Sequence, residues 1–337
     1  MNRNISAQEI RIQLNCNARI DCGKNSHMKR LLLISFFLLL AAAAFFYARI
    51  PATDRYTYGI KFHCTENGAI RQLHDSTKWK LWWPGNKISE NSYSFANRTF
   101  NIRNIILPGI ATSINSNNDS VNAFFQVSSL KPDTTIFQWS FTYAYSSNPI
   151  TRIQQYFGVK KLKTDLQRFL VTVKPYFENE ENIYGMKVEQ QKVKDSSLIS
   201  LKQTFDHYPS TEDIYQMVNA LKSYIQKKNG EQTNPPLLNI FPVTSTSYEV
   251  MVAVPTKWDL PEEGNFKLKK MVLGNILVGE VRGGVVTVMN AEKQMANYVF
   301  DYGKSSPAIP FQSLVTDRLL EPDSSKWITR LNFPIFY

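Results

Sequence analysis

The residues of this chain with the clearest chemical potential lie close to its end, in the stretch KWITRLNFPI, Lys326 to Ile335. Read with the two-residue period of a strand, it puts Trp327, Thr329, Leu331, Phe333 and Ile335 on one face and Ile328, Arg330, Asn332 and Pro334 on the other. A guanidinium facing water is an ordinary surface charge. One facing an apolar cavity repels cations and selects a carboxylate, phosphate or sulfate, because its fork of donors matches those oxygens. Glu280, in GEVRGG, offers the other outcome, a structural ion pair with Arg330.

Other chemistry is sparse. The histidines are His27, His63, His74 and His207, and none has the i, i+4 or H-x-x-E spacing of a metal site. His63 beside Cys64 and His74 beside Asp75 are adjacent residues, which a strand points to opposite faces, so neither pair makes a nucleophile and base. The chain has no G-x-S-x-G elbow, Walker loop or dinucleotide-binding glycine pattern. The Gly283-Gly284 pair before Val285 reads as a tight turn with weak potential to cradle a phosphate. No metal or cofactor is expected.

The elements that position these residues follow from patterning. Leu31 to Ala48 is an apolar run of about 18 residues, enough to cross a bilayer of about 30 Å hydrocarbon, with the lipid bilayer as its partner. Arg3, Arg11, Arg19, Lys24, Lys29 and Arg30 precede it against Glu9 and Asp21, which orients the N-terminus to the cytoplasm and the rest outside. This predicts a single-pass protein of the cell membrane. A cleaved signal is the competing reading, but its apolar core would be shorter, and the small-x-small pair Ala42 and Ala44 falls inside the run. Residues 1–30 read as a basic cytoplasmic tail or, since Met28 sits directly before the charged and apolar pattern, as an over-long start. Cys16 and Cys22 fall on the inner side and Cys64 alone on the outer, so no disulfide or cysteine-based zinc site is expected outside. The net charge of +11 is otherwise spread in short lysine runs, with no nucleic-acid-binding spacing, so nucleic acid is not an expected partner.

Residues 52–190 read as a first module: a strand, a short helix, several strands and one long helix. In TIFQWSFTYAY, Phe137, Trp139, Phe141, Tyr143 and Tyr145 share one face, and apolar residues from Ile150 to Phe177 recur with helical spacing. With Trp79, Trp82 and Trp83 in TKWKLWWPG, this order resembles the SRPBCC superfamily of START and polyketide-cyclase-like helix-grip domains. The resemblance implies a cavity for a hydrophobic ligand, with Trp139 and Phe141 on its wall; core filling is the plainer reading of each aromatic.

Residues 195–337 read as a second module in which a strand-helix-strand-strand unit occurs twice. In the first copy Ser210 or Thr211 caps a helix with the stripe Ile214, Met217, Leu221, Tyr224 and Ile225; in the second, Ala291, Met295, Tyr298, Val299 and Tyr302 make the stripe. YEVMVAVP, PEEGNF, PFQSLVTD and the closing KWITRLNFPI make this half resemble the GyrI-like effector-binding family. That resemblance implies a cleft between the copies, walled by aromatics such as Tyr208, Tyr248, Trp258, Phe311 and Trp327. Members often carry a Glu where Arg330 stands, so the departure implies an anionic or polar ligand in place of a cation. The class expected is α+β. The expected function is binding of a hydrophobic or amphipathic small molecule at the cell envelope. A hydrolase or cyclase in one cavity, with Glu280 as base, and an interaction module with collapsed cavities are the alternatives.

Overall fold

The computed structural model describes residues 7–116, 119–194 and 196–336. The start of the basic tail, the side chains of Cys16 and Cys22, and Asp195, where the second module is expected to begin, lie outside the described residues. The chain divides into two compact units, one of Met1–Tyr56 with Thr142–Asp165, the other of Thr57–Phe141 with Leu166–Tyr337.

Helix α1 runs over Ala7–Arg49 and contains the apolar run; Pro51 stops it by excluding helical backbone at the residue before it. Strand β1 (Thr53–Phe62) follows, then helices α2 (Glu66–His74) and α3 (Trp79–Trp82). Strands β2 (Lys87–Ser89), β3 (Ser92–Phe95), β4 (Arg98–Ile106), β5 (Gly109–Ser116), β6 (Asp119–Lys131) and β7 (Thr134–Ala144) lead to the long helix α4 (Pro149–Phe177). The remainder is α5 (Glu180–Tyr184), β8 (Val188–Lys192), β9 (Ser197–Phe205), α6 (Thr211–Lys227), β10 (Leu237–Pro242), β11 (Tyr248–Thr256), β12 (Lys267–Lys270), β13 (Asn275–Arg282), α7 (Val285–Asp301), β14 (Phe311–Leu314) and β15 (Ile328–Ile335). The architecture is α+β with two antiparallel sheets.

In the first unit the end of α1 is fixed by Arg152 of α4. Its Nη2 donates to the Ile50 carbonyl at 2.7 Å, its Nη1 to Tyr47 Oη at 3.1 Å, and its guanidinium lies 4.7 Å from the Tyr47 ring centre. Phe46 packs edge-on to Tyr156. Asp54 takes the Lys163 ammonium and Tyr145 Oη.

The first sheet has the order β1-β7-β6-β5-β4-β3-β2. Period-two alternation puts Phe125, Phe137 and Trp139 on its buried face, where they meet Phe169 and Phe177 from α4. Phe125 stacks on Trp139 with ring centres 4.7 Å apart, and Phe62 on Phe137 at 4.0 Å. Trp139 and Phe141 are therefore ring-packed or buried core, an arrangement in which aromatics contribute by area and edge-to-face geometry.

The second sheet runs β12-β9-β11-β10-β14-β15-β13-β8. Read outward from the central pair, β10, β11 and β9 on one side match β14, β15 and β13 on the other. Helices α6 and α7 both lie on one face. The α6 stripe of Ile214, Met217, Val218 and Leu221 packs on Ile199, Leu238, Val250, Val252 and Val254. Ser210 begins α6 with a capping box to Asp213. Helix α7 starts at Val285, a turn and a half before the Ala291 at which its stripe is predicted to begin. Valines are poor helix formers, but burial of Val288 against the sheet overrides that preference. Its close approach to β13 depends on Gly279, where a Cβ would stand 2.8 Å from Met295 Cε and 2.5 Å from Met186 Sδ.

The two sheets are joined within the second unit by Asp301, at the end of α7. Its carboxylate has no exposed surface and accepts from Tyr184 Oη at 2.8 Å and from both terminal nitrogens of Arg71, on α2.

Candidate functional site

With both helices on one face, the centre of the second sheet is bare on the other. Alternation there turns Leu198 of β9, Leu237 of β10, Met251 and Ala253 of β11, and Phe311 of β14 outward into a groove of about 500 Å³. Met271 closes one side. The floor's polar groups are already engaged: Asn239 Nδ2 donates to the Pro310 carbonyl at 2.9 Å and Ser200 Oγ to the Lys267 carbonyl at 3.1 Å. Such a floor offers area to an apolar body and little to a reacting group.

The rim is charged and the lips are apolar. Lys202 pairs with Glu249 at 2.9 Å, and Lys270 with Asp259. Lys269, also on the rim, has no carboxylate within 4.0 Å among the described residues. Beyond it Val272 and Leu273 are each 65% exposed, and Ile309 and Phe336 on the far side are exposed as well. An elongated molecule with an apolar body and an anionic end fits this distribution: burial of each methylene contributes about 0.8 kcal/mol, and an ammonium faces the polar end.

The residues singled out from the sequence fall in several places. Phe311 lines the groove. Arg330 and Glu280 are on the same bare face of the sheet but outside the groove's lining: Arg330 Nε donates to Glu280 Oε2 at 3.0 Å across β13 and β15, with side chains 48% and 51% exposed. Trp327 sits at the helix-covered side, its Nε1 donating to the Glu321 carbonyl at 2.7 Å. Tyr208 and Tyr248 meet edge to face with ring centres 5.4 Å apart. Trp258 is exposed beneath the Lys257 ammonium. Trp139 and Phe141 belong to the first sheet's core.

The guanidinium that does turn inward is Arg318, which the sequence does not mark. It lies in VTDRLLEP, between β14 and β15, where no periodic pattern assigns a face. Its ion is 4.9 Å from the Trp327 ring centre, and burial pushes its pKa below the usual arginine value. Glu292, on α7, is a half-buried charge-bearing group on the same helix-covered side. Burial raises its carboxyl above the usual range, partly opposed by the hydrogen bond from Gln312 Nε2 at 3.0 Å. Among the described residues no cluster of three or more His, Cys, Asp or Glu has a metal-holding arrangement.

No family model matches the chain, and no curated protein matches it. Solved structures similar to parts of it include the C-terminal domain of EcmrR, at 14% identity and a TM-score of 0.40, covering 45% of this chain and 98% of that one. SAV2435 bound to tetraphenylphosphonium is similar at 16% identity and a TM-score of 0.30, covering 45% and 94%. The di-domain ARO/CYC protein BexL is similar over 84% of this chain and 85% of its own, at 7% identity and a TM-score of 0.32.

Proposed function

We propose that this chain is a membrane-anchored binding protein for an amphipathic small molecule whose apolar body lies in the groove of the second sheet and whose anionic end meets Lys269. The carrying observation is the 500 Å³ apolar groove with an ammonium on its rim. In this reading Leu31–Ala48 spans the bilayer, the basic residues before it hold the N-terminus in the cytoplasm, and residues 52–190 and 195–337 are a helix-grip module and a GyrI-like module outside. Met28–Arg49 is long and apolar enough for the crossing. A ligand with one long apolar body suits a protein held at a lipid surface, where such molecules partition.

Hydrolysis is the weaker reading. Glu280, its proposed base, is held by Arg330 and is half exposed, outside the residues that line the groove. The test is mass spectrometry of the organic extract of the purified full chain. The proposal expects a co-purifying amphiphilic anion that is depleted in Ala253→Trp, whose indole would fill the groove; equal extracts from both proteins would reject it.

A further inference from the structure

Helix α4 carries an apolar face that the fold leaves uncovered. Along its first turns Ile150, Ile153 and Phe157 recur at three- and four-residue spacing on one side, while Val159 and Leu162 on the other side are buried. Ile150 is 71% exposed and Phe157 55%. Lys160 and Lys161 follow in the next turn, both exposed and flanking the same apolar side.

Helix α1 fixes the level at which this face lies. Phe46, in the last turn of the apolar run Leu31–Ala48, stacks on Phe157 with ring centres 6.0 Å apart and planes 13° from parallel, and it meets Tyr156 edge-on at 5.9 Å. The next residue, Tyr47, donates from its Oη to the Ser147 carbonyl at 3.1 Å, on the turn that leads into α4. Farther along α4 the attachments move past the end of α1: Lys163 pairs with Asp54, and the Lys163 carbonyl accepts from Tyr56 Oη at 3.2 Å. The start of α4 therefore crosses the end of the apolar run without following it inward.

In a bilayer the end of such a run is the boundary between hydrocarbon and headgroups. A ring stacked on Phe46 sits at that boundary, and so does the apolar face it belongs to. The neighbouring chemistry suits the place. Tyr47 and Tyr156 are amphipathic aromatics of the kind enriched there. Lysines beside an apolar helix face bury their methylene stems and hold their ammonium groups at the level of lipid phosphates.

We infer that the first turns of α4 are a lipid-binding surface, with Ile150, Ile153 and Phe157 in the acyl boundary of the bilayer that α1 crosses and Lys160 and Lys161 at its phosphates. The inference rests on the membrane-anchored reading and adds to it a second point of contact. One spanning helix leaves the residues packed on it free to turn about its axis; a lipid-seated α4 removes that freedom.

The test uses the full chain in nanodiscs of phosphatidylcholine and phosphatidylglycerol, with Cys16→Ser and Cys22→Ser and a nitroxide on Ile150→Cys, a side chain exposed enough to carry it. A second protein carries the nitroxide on Leu39→Cys, within the span. Collision of each label with oxygen, which concentrates in lipid, is compared with collision with a water-soluble nickel chelate. The expected oxygen-to-nickel ratio at Ile150 is several-fold above that of free label in water and below that at Leu39. A water-like ratio at Ile150 with a lipid-like one at Leu39 would overturn the inference and leave the anchor standing. Water-like ratios at both would reject the anchor and the inference with it. Weak collision with both reagents at Ile150 would mean that protein covers the face, and would overturn the inference as well.

Discussion

Arg330 and Glu280 occupy directly opposed positions on β15 and β13, and their side chains close a 3.0 Å ion pair on the bare face of the second sheet. The pair answers the question the terminal strand raises: this guanidinium faces outward, about half in water, with its charge already matched. Exposed pairs of this kind contribute within about 1 kcal/mol. Arg330→Ala and Glu280→Gln are therefore expected to leave urea unfolding nearly unchanged and to leave amphiphile binding intact.

The Asp301 carboxylate has the opposite character. It is fully buried and serves Arg71, Tyr184 and Thr65. Removing one partner of a buried pair leaves the other's donors unanswered, so Asp301→Ala is expected to cost about 3 kcal/mol in denaturant unfolding. Asp301→Asn, which retains one acceptor, should cost less.

Glu292 gives a pH signature. Its folded pKa is raised by burial, so above the ordinary carboxylate range the folded state must carry an unfavourable buried charge. Between its unfolded and folded pKa the native state binds more protons, and stability falls as pH rises through that window. Glu292→Gln keeps an acceptor for Gln312 without the charge. It should be more stable than the parent at pH 7, with the difference closing at pH 4, as read by Tm against pH.

Cys64 should be inert. It is buried, and burial foremost, with the charge of Glu178 adding to it, pushes its thiol up to about 12, opposed by a hydrogen bond with Thr135. With the thiolate as the reactive species, alkylation by iodoacetamide at pH 8 should be slower than for a free cysteine by about three orders of magnitude, and should reach the free rate only on unfolding.

Much of the frame was legible because it is written locally. The Ser210 cap, the α6 stripe and the alternation of Ile328 to Ile335 are short-range patterns, and the structure places those residues in matching elements. The groove was not legible, since Leu237, Met251 and Phe311 come from three strands and share a face only once the sheet order is set. Arg318 was hidden for a related reason: a loop carries no period, so nothing in VTDRLLEP tells a buried cation from a solvated one. The terminal strand did show two faces, and Arg330 stands on the one away from α7. Glu280 is one of the two outcomes the sequence offers for that guanidinium, and the β13–β15 register, which sets it directly opposite Arg330, decides between them.

Binding of an amphiphilic anion on the bare face of the second sheet can be read by 13C-methyl methionine NMR of the full chain in nanodiscs, titrated with dodecanoate and, separately, with dodecyltrimethylammonium. Saturable shifts of the Met251 and Met271 methyls are expected with dodecanoate, weaker ones with the cation, and loss of the preference in Lys269→Gln. Unmoved Met251 and Met271 signals at saturating dodecanoate, or equal responses to both probes, would contradict it.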